Sequence, residues 1–107
     1  MRNLLILLLI PLAGCMTLSV NGQMEDGSDS FTGSATGYMS GGGNLTIKTK
    51  KGITCEGNFV YVSRRHGEGI FTCEDGRSGP FQFVSTGTSG TGTGRLGNSN
   101  FTFRFGF

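Results

Sequence analysis

Residues 55–83 read CEGNFVYVSRRHGEGIFTCEDGRSGPFQF. Two runs of alternating small or apolar residues lie here on either side of Arg64-Arg65. Alternation with a period of two is the mark of a strand with one buried face. Place Cys55 directly opposite Cys73 in one antiparallel hairpin, and the remaining register follows. Phe59 then falls opposite Gly69, and Tyr61 opposite Gly67. Each large ring would cover the backbone that a cross-strand glycine leaves bare. Asp75-Gly76 marks the next turn, because glycine tolerates the positive φ of a tight hairpin. Beyond it, Phe81 can face Gly94 and Phe83 can face Gly92 in the same manner. The cysteine pair and the glycine–aromatic complementarity therefore favour one register independently.

The pattern extends in both directions. Gly41-x-Gly43-x-Leu45 recurs as Gly67-x-Gly69-x-Phe71 and as Gly92-x-Gly94-x-Leu96. Aromatic runs lie between them, at Phe59-x-Tyr61 and Phe81-x-Phe83, and Phe101-x-Phe103-x-Phe105-x-Phe107 closes the chain. A glycine-rich strand alternating with an aromatic strand implies an internal repeat. Strands are expected near 31–39, 43–49, 53–62, 68–74, 80–85, 91–96 and 100–106. Turns are expected at Lys50-Lys51-Gly52, Arg64-Arg65, Asp75-Gly76, Thr86 to Ser89 and Asn98-Ser99. The expected fold is all-β: an antiparallel meander of six or seven short strands over residues 31–107, with one disulfide. With 20 glycines in 107 residues and no G-X-Y period, long helices and collagen are both excluded.

Cys55-Glu56-Gly57-Asn58-Phe59, Arg65-His66-Gly67-Glu68-Gly69-Ile70-Phe71-Thr72-Cys73-Glu74-Asp75-Gly76 and Gly79-Pro80-Phe81 together resemble the MORN repeat. Cysteines stand where that family usually carries tyrosines, and the third unit is irregularly spaced. The resemblance implies a single-layer antiparallel meander with an aromatic face, serving as a scaffold or binding surface.

The N-terminus carries an address. Residues 1–14, MRNLLILLLIPLAG, place Arg2 before an unbroken apolar run from Leu4 to Ile10. That run is a secretory signal rather than a membrane span, which needs about 18 apolar residues. Leu12-Ala13-Gly14-Cys15 resembles a bacterial lipobox. The resemblance implies that Cys15 is acylated and becomes the first residue of the mature chain. Met16, in place of an Asp at that position, implies the outer membrane. Residues 15–30 are polar and small enough to read as a lipidated flexible tether. In an exported domain the two remaining cysteines, Cys55 and Cys73, are expected to form a disulfide.

The chemistry-bearing residues are few. A net charge of +2 gives no broad basic face for nucleic acid. Gly92-Thr-Gly94-Arg-Leu-Gly97 matches GxGxxG, but ten residues of strand pattern follow where a dinucleotide site needs a helix. Glu25, Asp26 and Asp29 lack the ligand spacing of a calcium loop. His66, the single histidine, has no orienting acid and nucleophile set about it. No cofactor, metal or catalytic residue is expected. The terminal phenylalanine ladder resembles the last strand of an outer-membrane barrel, yet eight spanning strands demand more chain than 93 mature residues are expected to supply.

The expected function is that of a lipid-anchored envelope lipoprotein, structural or binding and without catalysis. The alternative is a prophage-type exclusion lipoprotein that masks a surface receptor. Candidate binding residues are Phe59, Tyr61, Phe81 and Phe83 on the aromatic face, with Arg64 and Arg65. Arg77, Arg95 and Arg104 are expected to share a basic edge with those two. Expected partners are the membrane, through the acyl chains, and either another envelope protein or lipid head groups.

Overall fold

The computed structural model describes residues 15–38 and 41–106. The expected signal peptide, residues 1–14, lies outside them. Eight antiparallel strands follow one another: β1 (Cys15–Met24), β2 (Ser30–Tyr38), β3 (Gly42–Thr49), β4 (Thr54–Tyr61), β5 (His66–Cys73), β6 (Ser78–Ser85), β7 (Ser89–Leu96) and β8 (Ser99–Gly106). Each pairs with the next, and β1 pairs with β8, so the sheet closes into a barrel. The seven strands expected after residue 30 are all present. Two expectations are corrected. The sheet is a closed barrel of eight strands and not an open meander of six or seven. Residues 15–24, read as tether, form the eighth strand, β1.

The reason lies in β1 itself. Leu18, Val20, Gly22 and Met24 alternate with Thr17, Ser19, Asn21 and Gln23, and Val20 and Met24 are buried. An open layer of this composition would leave one apolar face in water. Inserting β1 between β2 and β8 turns that face into an interior and removes both free edges. Strands of eight to ten residues with short turns are compact enough to close within the chain available.

Closure obeys the glycine–aromatic rule. One inward row runs through Gly37, Gly43, Phe59, Gly69, Phe81, Gly94 and Phe101 to Met24. Gly37, where the row starts on β2, pairs in the ladder with Met16. A single circuit therefore returns to β1 at Met24, eight residues beyond Met16, a stagger that tilts the strands against the barrel axis. A second row runs Tyr61, Gly67, Phe83, Gly92, Phe103, Gly22. Phenylalanines and glycines alternate because a small barrel cannot hold a ring at every inward position. A Cβ at Gly69 would lie 2.6 Å from Phe81 Cζ, and one at Gly43 2.6 Å from Phe59 Cζ.

The rings form a column along the axis. Phe31 meets Phe101 at 5.6 Å between centroids, Phe101 meets Phe71 at 5.8 Å, and Phe71 meets Phe81 at 4.5 Å. Phe83 then packs edge-on against Phe59, Phe105 and Tyr61, at 5.1, 5.3 and 5.5 Å. Edge-to-face pairs at these separations add to the area term of burial. Cys55 and Cys73 stand opposite each other in the β4–β5 ladder and are joined by a disulfide, both inside the barrel. The register expected from that pair holds throughout β4–β5, and the expected facing of Phe81 with Gly94 and Phe83 with Gly92 holds in β6–β7. Among the described residues, the two buried hydroxyls serve the turns. Thr49 Oγ1 accepts from the Ile53 N–H at 3.0 Å, and Ser85 Oγ donates to the Gly87 carbonyl at 3.3 Å.

Candidate functional site

Closure changes which candidate residues can meet a partner. Phe59, Phe81 and Phe83 point inward and are 8%, 3% and 5% exposed. They are core residues, and the expected aromatic contact face is corrected: it has become the barrel lining. Tyr61 shares their inward side but sits at the barrel mouth, 38% exposed, with its ring edge-on to Phe83. Arg64 and Arg65 are exposed in the turn between β4 and β5. The expected basic edge is also corrected. Arg77 lies in the β5–β6 turn and Arg95 just before the β7–β8 turn, both at the opposite end, while Arg104 stands on the outer wall of β8.

The chain alternates between the two ends. One end carries the start of β1 and the β2–β3, β4–β5 and β6–β7 connections. Here Tyr61 N–H donates to the Gly41 carbonyl at 2.8 Å, and Val62 N–H donates to the His66 carbonyl at 2.8 Å. Val62 (55% exposed) flanks the arginines, and Val60 and Val84 lie on the adjoining wall. The run Phe59-Val60-Tyr61-Val62 breaks the alternation, so both faces are apolar there and one must show. That signal was present in the sequence and pointed to an exposed apolar rim.

The other end carries the disulfide and most of the turn charge. Asp75 Oδ1 accepts from the Arg77 N–H at 3.1 Å and Oδ2 from Arg77 Nε at 2.8 Å. These bonds hold the Asp75 carboxyl below the usual carboxylate range. Hydrogen bonds from Ser28 lower Asp26 in the same way. Both groups lie in exposed turns and serve them.

The outer wall is polar. Thr, Ser, Asn, Gln, Lys, Glu and Arg fill most outward positions, which inverts the apolar-out pattern of a barrel embedded in lipid. A shallow depression of about 770 Å³ crosses it, lined by Asn21, Gln23, His66, Gln82, Thr91, Thr93, Thr102 and Arg104 together with Gly22, Phe83, Val84, Gly92 and Phe103. Gln82, Thr93, Thr102 and Gln23 form one cross-strand row there, and Thr91, Arg104 and Asn21 the next. Amides, hydroxyls and one guanidinium can hydrogen-bond a polar ligand. His66 Nε2 lies 3.5 Å from Glu68 Oε2, with His66 half-buried and Glu68 exposed. This depression was not legible in the sequence, because its residues come from five strands.

No protein-family model matches the chain, and no curated protein is similar to it in sequence. Solved structures are similar in fold. A redesigned β-barrel, mFAP1, bound to DFHBI, superposes with a TM-score of 0.70 at 15% identity, covering 85% of this chain and 92% of that one. A fluorescence-activating β-barrel designed de novo gives 0.65 at 12% identity, covering 84% and 89%. At such identities the likeness concerns the barrel alone.

Proposed function

We propose that the chain is a lipid-anchored lipoprotein of the bacterial cell envelope, of the outer membrane by the Met16 criterion, acting as a structural or binding module without catalysis. The carrying observation is the lipobox-like Leu12-Ala13-Gly14-Cys15, whose Cys15 lies within β1 and pairs with Tyr38. Cleavage before Cys15 would leave every pairing of β1 among the described residues intact. On this reading the MORN-like repeats supply hairpins whose aromatic face is spent on the core. A barrel of similar fold is bound to DFHBI, but here rings run along the lumen, so the contacts proposed for this chain lie on the polar wall and on the rim bearing Tyr61, Arg64 and Arg65.

The intact mass of the protein purified from membranes tests the reading. The expected mass is that of residues 15–107 plus acyl chains, gaining a pair of hydrogens on reduction of Cys55–Cys73. A mass without lipid makes Cys15 an ordinary thiol and removes the anchor.

A further inference from the structure

We infer that the barrel stands upright on an anionic phospholipid bilayer, with Arg64 and Arg65 bound to lipid phosphates and Tyr61 and Val62 lying at head-group level. This rests on the lipid anchor proposed above, and adds an oriented contact that the anchor alone does not require.

Three observations carry it. First, the anchor residue belongs to the barrel. β1 begins at Cys15, and Cys15 pairs with Tyr38 at the end of β2. An acylated Cys15 therefore brings its own end of the barrel to the head groups, and the β4–β5 turn is at that end. Second, charge is divided between the ends. Among the described residues, Arg64 and Arg65 are the only charged residues in the connections of the anchor end. The connections of the far end hold five carboxylates, Glu25, Asp26, Asp29, Glu74 and Asp75, against Lys50, Lys51 and Arg77. An anionic surface attracts the first end and repels the second. Neither Arg64 nor Arg65 is paired with a carboxylate among the described residues. Third, the residues beside them have interfacial composition. Tyr61 presents a ring with a polar tip at the barrel mouth, and Val62, 55% exposed, precedes the arginines. Aromatic and cationic residues together are what the head-group region accommodates.

The chain has no tryptophan, so a single introduced indole reports its own depth. The full-length protein carrying Tyr61→Trp, isolated from membranes and reconstituted into vesicles, would be compared with one carrying Lys51→Trp at the far end. With bromine-labelled lipid in vesicles rich in phosphatidylglycerol, we expect at least threefold more quenching at position 61 than at position 51. Adding Arg64→Glu and Arg65→Glu should reduce quenching at 61 to the far-end level while the protein stays with the vesicles. Val62→Trp repeats the measurement if the larger ring at 61 disturbs the mouth. Equal quenching at both ends, or quenching at 61 that ignores the arginines or is the same in neutral phosphatidylcholine, overturns the oriented contact. A protein that stays with the vesicles yet shows any of those results keeps the anchor and loses the docking. A protein that leaves the vesicles loses the anchor reading itself.

Discussion

Glycine does two different jobs in this barrel, and substitution separates them. At Gly69 an added Cβ would collide with the Asn58 carbonyl and approach Phe81 Cζ at 2.6 Å, with backbone on one side and a packed ring on the other. Gly69→Ala should cost about 2 kcal/mol, the scale of overpacking in a core. At Gly37 nothing lies within 4 Å of the same atom and φ is not positive. Gly37→Ala should be neutral or raise stability by up to about 1 kcal/mol, by narrowing the unfolded ensemble. Urea unfolding of the pair decides whether the inward glycines make room for rings. Asp75 offers a test at one titrating group. Its folded pKa is lowered, first by the Arg77 backbone N–H, so its contribution to stability is present above the ordinary carboxylate pKa. It is lost as pH falls through the lowered folded value. A carboxyl NMR titration should find Asp75 ionised below the usual range, and Asp75→Asn should remove that part of the acid dependence.

At the scale of the hairpin, the sequence was most legible. Cys55 and Cys73 set one register, the rings and glycines set the same one, and the structure has it. Hairpins are local, so their partners lie within a short stretch of chain and turn residues such as Asp75-Gly76 mark the reversal. The disulfide should contribute about 3 kcal/mol by closing its loop in the unfolded chain. The double variant Cys55→Ala/Cys73→Ala should show that loss in urea, and the wild-type protein unfolded under reductant should approach it. β1 was not legible, although its alternation is clean. Its inward side is lean, with a glycine among Leu18, Val20 and Met24, its outward side is uniformly polar, and its position after a lipobox-like motif reads as spacer. What distinguishes such a strand from a spacer is a partner on each side, and one partner, β8, lies at the other end of the chain.

Across the whole molecule, closure is the one long-range event. Every other ladder joins neighbours in sequence, whereas β1–β8 joins Ser19–Met24 to Phe101–Gly106. Loops of that length cost entropy before contacts reward them, so closure should be the late step of folding. Val20 is 1% exposed on β1 and pairs with Gly33 on β2 and Phe105 on β8. Val20→Asp buries a carboxylate without a partner and should cost several kcal/mol. Amide exchange should then rise in β1 and β8 together, while the β4–β5 hairpin stays protected. The candidate surfaces depend on the same closure. It withdrew Phe59, Phe81 and Phe83 into the core, left Tyr61 at the mouth, and sent Arg77 and Arg95 to the opposite end from Arg64 and Arg65. A reading of separate strands could not decide any of these, because each depends on which way the sheet curls.

The start of β1 at Cys15 has a mechanical meaning if that residue is held in lipid. A drag on the barrel would be transmitted to the anchor along the axis of β1. Such a load runs parallel to the strand and acts at once on the ladders to β2 and to β8, rather than peeling them bond by bond. Such an attachment would be a shear joint, with tension between membrane and barrel borne by the part of the fold that closes it.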